Sequence, residues 1–356
     1  MRGGEKCLEA LCELYPEAPV YTLFCERAKI SGPIAERSIR NSWLQRLPGI
    51  FTRYRNYLPL FPLAVNGLDL KKYPVIVSTS HCAAKGVRKA PGALHICYCF
   101  TPMRYAWGFF DEYFGQKNGV EKTLAQVLMA GMRRWDFNAN GGVDHFVAIS
   151  EHVKKRIQTY YKREAEVIYP PVDTDFYTPD LGVPREDTYL VVSALVPYKR
   201  VDLAVEAFGR LGKRLIVIGD GPERNRLEEI AGPRVHFMGW QPDKILRDYY
   251  RRARALIFPG EEDFGIVPLE MQACGGFVIA YKKGGALETV QEARTGVFFD
   301  ELTAESLAEA VRKFEEQKLD AAAPRQNALA FGRKRFKDQM RTMIERERVK
   351  KGKAEK

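Results

Sequence analysis

The sequence predicts an α/β protein built from two doubly wound, Rossmann-like domains, and three observations carry that expectation. Short apolar runs rich in β-branched and aromatic residues alternate with helix-periodic segments along all 356 residues. Tyr169-Pro170-Pro171-Val172-Asp173 breaks both periodicities near the middle and reads as a linker. The length leaves room for two cores, and a composition 46% hydrophobic and 28% charged is that of a globular chain.

In the first half the expected strands are 20–24, 75–79, 94–100, 144–150 and 166–169. In the second half they are 189–194, 214–218, 235–238, 255–258, 277–281 and 297–299. The helical stretches between them are long enough for right-handed crossovers, so both sheets should be parallel. Domain boundaries follow the linker, giving 1–170 and 171–324. In such folds ligands bind beyond the C-terminal ends of strands, at helix N-termini.

Composition excludes several classes. No run approaches eighteen apolar residues, and positions 1–20 lack the basic-then-apolar layout of a secretory signal, so a cytoplasmic protein is expected. Seven cysteines, odd in number and without a C-x-x-C pair, form neither a disulfide framework nor a zinc site. Charge is unevenly placed: 24 basic against 15 acidic residues in 1–170, 21 against 26 in 171–332, and 11 against 4 in 333–356. A basic domain can face nucleic acid, an anionic membrane or an acidic substrate. No RNP-like, helix-turn-helix or zinc-finger spacing is present, which argues against nucleic acid. Residues 37–61 interleave Arg37, Arg40, Arg46, Arg53 and Arg55 with Trp43, Leu44, Ile50, Phe51 and Tyr54. That mixture suits a lipid headgroup region and equally suits packing on the protein's own sheet.

The chemistry-bearing pattern is Glu262-Asp263-Phe264-Gly265-Ile266-Val267-Pro268-Leu269-Glu270. Glu262 falls in the loop after an apolar strand and Glu270 in the second turn of the next helix, so both can address one ligand. The helix opens at Gly265 and Ile266, whose free N–H groups suit hydroxyls or phosphate, and Pro268 in the first turn loses no hydrogen bond. Gly219-Asp220-Gly221-Pro222-Glu223-Arg224 ends a strand but lacks the third glycine of a dinucleotide fingerprint, so a nicotinamide cofactor is not expected. Gly219 and Gly221 permit close backbone approach there.

Further segments accompany these: Pro197-Tyr198-Lys199-Arg200-Val201-Asp202, Gly284-Gly285-Ala286-Leu287-Glu288-Thr289 and Thr295-Gly296-Val297-Phe298-Phe299, with Gly3-Gly4-Glu5, 42–48 and Thr101-Pro102 followed by Arg104-Tyr105-Ala106-Trp107 in the first half. In this order the set resembles the family 4 retaining glycosyltransferases of GT-B fold. Its details are most similar to the bacterial GDP-mannose-dependent branch of lipopolysaccharide and exopolysaccharide synthesis. The resemblance implies two Rossmann-like domains facing a cleft, a nucleotide-sugar donor, a lipid-linked saccharide acceptor and attachment to the anionic inner face of the cytoplasmic membrane. A UDP-sugar or ADP-heptose donor, and a weakly catalytic scaffold that only binds nucleotide sugar, stay open.

The resemblance also assigns residues. Lys199 meets the charge that develops on the departing diphosphate, with Arg200 as a possible second cation where Ala194 replaces the family's arginine. Glu262 faces the transferred sugar, the backbone of Phe264, Gly265 and Ile266 binds its hydroxyls, and Glu270 holds the ribose. Gly3, Gly4, Gly219 and Gly221 belong to the donor side, and Thr101, Arg104 and Trp107 to the acceptor side. Phe100 and Gly108 stand where the family favours a histidine and an aspartate; His81 and His95 nearby read as structural. No D-x-D pair ends a strand, so metal-independent chemistry without a cofactor is expected. A helix at 325–346 is expected to cross back to the first domain, followed by a basic tail at 347–356. Because the family places an apolar strand before the Gly3-Gly4 loop, the first domain is expected to lack its first strand, and Met1 to be an internal methionine.

Overall fold

A computed structural model describes residues 3–108 and 119–354; Met1, and any expectation about it, lies outside them. The chain divides into two compact units, residues 1–171 with 336–356, and residues 172–335.

The first unit opens with α1 (Gly3–Leu14) and two parallel strands, β1 (Val20–Thr22) and β2 (Ile39–Asn41). A separate four-stranded parallel sheet follows in the order β3 (Val75–Ser80), β4 (Leu94–Cys99), β5 (His145–Ala148), β6 (Ala165–Val167). Among the described residues no strand joins the β1–β2 pair to this sheet. All six residues of β4 are buried, as parallel strands covered on both faces require. The long helix α2 (Gly119–Asn138) turns Met129 and Met132 onto a lobe core with Leu44, Ile50, Leu58 and Phe61. Part of the 37–61 segment therefore packs inward, while Trp43 and Phe51 stay exposed. Helix α3 (Glu151–Tyr161) starts on Ser150, whose hydroxyl accepts from Val153 N at 3.0 Å.

The second unit is one six-stranded parallel sheet in the order β12-β11-β10-β7-β8-β9, with β7 (Thr188–Val192), β8 (Arg214–Ile218), β9 (Val235–Gly239), β10 (Ala255–Phe258), β11 (Phe277–Tyr281) and β12 (Gly296–Phe299). The chain builds outward from β7 to β9 and then crosses to β10 on the other side of β7, so the order reverses between β7 and β10. The loops leaving these neighbours lie side by side, the position where doubly wound sheets bind ligands. The amphipathic helix α4 (Val201–Leu211) buries Leu203, Ala204, Ala207 and Phe208 against the sheet and ends at Gly212 in the left-handed conformation.

The expected single helix at 325–346 is instead two. Helix α6 (Ala323–Leu329) stays in the second unit, packed behind α5 (Ile266–Ala273), where Arg325 donates to the carbonyls of Thr174, Tyr177 and Ala273 at 2.8 to 3.0 Å. The carbonyl of Phe331 accepts from Val172 N at 3.0 Å, and past Gly332 the chain restarts as α7 (Arg333–Ala354). From Phe336 onward α7 belongs to the first unit, where Phe336 meets Tyr98 edge-on at 5.6 Å. The expected tail is thus helical through Ala354, because Arg346 pairs with Glu166, and Lys351 with Asp144 at 2.8 Å.

Candidate active site

Two loops of the second unit meet at the switch point, and small residues let them meet. A Cβ on Gly260 would lie 2.9 Å from both Cα and O of Lys199, so the β10 loop runs directly against the β7 loop. Lys199 closes a short 3₁₀ turn, Pro197–Lys199, which aims its side chain across the seam. Its ammonium hydrogen-bonds and ion-pairs with Glu262 Oε1, the two side chains being 15% and 18% exposed. Glu261 is distinguished from Glu262 by its own partner, Lys283 at 3.1 Å, whose ammonium that carboxylate holds above its ordinary range.

The Glu262 loop is clamped from below. Gly285 N donates to Glu262 O at 2.8 Å, and Cβ atoms on Gly284 and Gly285 would fall 2.5 Å from Glu262 O and 2.3 Å from Phe264 Cα. Gly265 adopts φ 93°, a left-handed turn that opens α5, and Ile266 is its first residue. The first-turn N–H groups of that helix have no partner within it. One turn on, Glu270 Oε2 accepts from the hydroxyl of the fully buried Tyr250 at 3.0 Å, which fixes the carboxylate. Burial, then the charge of Glu270, pushes the Tyr250 phenol far above its usual range, so it stays a donor. Behind α5, Gln272, Thr289 and Asn327 form a closed hydrogen-bond set at 2.6 to 3.0 Å.

The other expected donor-side residues fall as follows. Arg200 lies in the left-handed region and its guanidinium is engaged by Asp202 at 3.1 Å, so its charge serves the entry to α4. Gly219 and Gly221 do permit close approach, but what approaches is the β7 loop: Cβ atoms there would fall 1.8 Å from Ser193 O and 2.3 Å from Leu195 O. Gly3 and Gly4 form the first turn of α1 in the first unit, and the Phe100 ring lies 3.3 Å from a Cβ built on Gly4.

Of the acceptor-side residues, Thr101 is buried, Arg104 is partly exposed, and Trp107 is clamped between Tyr160, stacked at 5.2 Å, and the Arg133 guanidinium at 5.5 Å. His95 is fully buried between Ser78 Oγ and Gly142 O, and burial drops its imidazole to about 4, so it is a neutral structural residue. Sequence reasoning assigned no role to Gly260, Gly284, Gly285 or Tyr250. The signal for the glycines was present, since each follows a buried strand, but a partner loop has to be in place before their lack of a side chain acquires meaning.

Residues 174–331 match the sequence model of the family described as glycosyl transferases group 1. The match spans nearly all of the second unit. The chain also matches curated relatives, among them the D-inositol 3-phosphate glycosyltransferase of Mycobacteroides abscessus, 32% identical over 41% of this chain and 38% of that protein. Another is the GDP-mannose-dependent α-(1-6)-phosphatidylinositol monomannoside mannosyltransferase of Mycobacterium tuberculosis, 30% identical over 48% of this chain and 52% of the relative. The chain thus spans about half, or less, of the length of these relatives. Over nearly the whole chain the fold is that of solved GT-B structures. Sucrose-phosphate synthase of Thermosynechococcus elongatus superposes with a TM-score of 0.73 at 19% identity, covering 96% of this chain and 91% of its own. Anabaena HepE, solved with UDP-glucose, gives 0.69 at 17%, covering 97% and 96%.

Proposed function

We propose that this protein is a retaining glycosyltransferase that moves mannose from GDP-mannose onto a lipid-linked or polysaccharide acceptor. The observation that carries the reading is the Lys199–Glu262 pair set at the switch point beside the opening of α5, with Glu270 anchored one turn below. As the anomeric C–O bond breaks, negative charge grows on the departing diphosphate, and Lys199 is the preorganised cation that meets it. Glu262 and the N–H groups at Gly265 and Ile266 hold sugar hydroxyls, while Glu270 accepts from the ribose. The acceptor oxygen bonds to the anomeric carbon on the face the diphosphate leaves, and its proton passes to that phosphate, so no separate base is required. The transfer step routes no charge through a metal, and the EDTA arm of the assay below tests that. Support for the nucleotide comes from the mycobacterial relative named for GDP-mannose.

The acceptor's lipid places the protein at the inner face of the cytoplasmic membrane. Among the described residues no helix is long and apolar enough to cross a membrane. What supports peripheral binding is the first unit's 32 basic against 19 acidic residues, where the second has 24 against 26. Beside that charge stand Trp43, Phe51 and Leu63, and a stripe on α2 of Val120, Leu124, Val127 and Leu128, all exposed.

A thermal-shift panel of GDP-mannose, UDP-glucose and ADP-heptose, followed by transfer and hydrolysis assays with and without EDTA, tests the donor. GDP-mannose should stabilise the protein most and be turned over in EDTA, with the α-anomer retained in the product. Preference for UDP-glucose reassigns the nucleotide, and binding without turnover makes the protein a scaffold. Co-sedimentation should favour anionic over neutral vesicles and weaken with salt; equal pelleting removes the membrane assignment.

A further inference from the structure

The first unit holds a fully buried ion pair that none of these roles uses. Lys85, 1% exposed, follows β3, and Asp136, 0% exposed, lies near the end of α2. Lys85 Nζ donates to Asp136 Oδ1 at 2.7 Å and to the Asp136 carbonyl at 2.5 Å. The other carboxylate oxygen accepts from the Trp107 indole N–H at 2.7 Å and from the Tyr161 hydroxyl at 2.8 Å. Over the ammonium sits the Tyr161 ring, 4.6 Å away.

A pair this deep adds little net stability over apolar residues of the same size, because desolvating two charges offsets their attraction. What it does impose is a single arrangement, since every group in it has a fixed partner. The chain segment that this arrangement captures is the one from Thr101 to Trp107. Its last residue is held through the indole, Ala106 O accepts from Arg133 Nε at 2.8 Å, and Met103 N donates to Tyr161 Oη at 3.3 Å. All the anchors come from α2 and α3.

We propose that Asp136, held in place by Lys85, is a positioning residue that pins Trp107 and thereby presents the 101–107 loop, with Arg104, to the acceptor saccharide. Trp107 is the pin and not the sugar platform, because Tyr160 and Arg133 occupy its ring. The inference rests on the proposed acceptor-side role of that loop.

The decisive variant is the double replacement Lys85→Met/Asp136→Leu, which removes both charges together and leaves neither one unpaired. The indole N–H of Trp107 is followed by deuterium exchange in nitrogen-15 spectra of the full chain, without donor or acceptor. Transfer is measured with GDP-mannose and octyl α-mannoside. The double variant should melt within a few degrees of the parent, exchange the Trp107 indole at least about tenfold faster, and raise the KM for octyl α-mannoside about tenfold while the KM for GDP-mannose holds. Trp107→Phe, which deletes one N–H and keeps the ion pair, should raise the acceptor KM similarly and add nothing on top of the double variant; it decides the matter where the double variant does not fold. Unchanged indole exchange, or additive KM effects, overturns the proposal. Because exchange is read without substrates, it judges the pin even where the donor panel finds no transfer, and lost transfer with normal exchange in the parent counts against the function instead.

Discussion

Gly285→Ala puts a methyl group where the backbone of Phe264 already runs. Gly285 has ordinary helical angles, φ −66° and ψ −14°, so alanine costs nothing in backbone conformation. The new Cβ would lie 2.3 Å from Phe264 Cα and 2.4 Å from Phe264 O, and ordinary contact begins at 3.4 Å. Backbone cannot rotate aside, so the 262–265 loop has to move by about 1 Å, a displacement that typically costs about 10²-fold in turnover when it misplaces a reacting group. Overpacking of this kind costs about 1–3 kcal/mol in stability. Gly209→Ala provides the contrast, since its Cβ would meet nothing nearer than Gly232 N at 3.9 Å inside the exposed face of α4. There alanine should stabilise by about 0.5–1 kcal/mol through helix propensity alone. Urea denaturation and initial rates on both full-length variants measure the difference. Equal stability and equal turnover for Gly285→Ala would show that the 284–285 turn does not clamp the Glu262 loop, and with it the account of how the site is built would fall.

Lys199→Ala should lower turnover about 10²–10³-fold with a smaller change in donor affinity, because the charge it meets develops as the bond breaks; single-turnover rates with titration calorimetry separate the two. Glu270→Gln should weaken binding of free nucleotide, read by calorimetry, and should leave the Tyr250 hydroxyl bond intact since the amide oxygen still accepts. His95 predicts a stability loss in mild acid. Its imidazole is held at about 4 against an ordinary 6.5, so between those values the unfolded chain binds a proton that the folded chain refuses. Stability should therefore be full above pH 6.5 and decline toward pH 4 by about 3 kcal/mol, a slope that His95→Gln removes in urea titrations.

Along the chain, local chemistry determined a great deal. Of the twelve strands among the described residues, eleven were legible as apolar β-rich runs, each within about two residues at its start, because parallel strands covered by helices are rich in apolar residues. Only β2, three residues long and mostly exposed, carried no such signal. The Glu262–Glu270 segment also announced a loop, a glycine turn and a helix, since each depends on neighbours in sequence. Tertiary structure decided the rest. Which of Glu261 and Glu262 meets Lys199 is settled between loops 63 residues apart, whether Arg200 is free or held by Asp202 depends on the left-handed turn at Arg200, and Gly260, Gly284 and Gly285 carry no side chain because backbone passes within 3 Å of where a Cβ would sit. The same holds for Lys85 and Asp136, 51 positions apart, each unremarkable until folding removes water from both. A charge shows its cost and its partner only when it is buried, and burial is a property of the assembled fold.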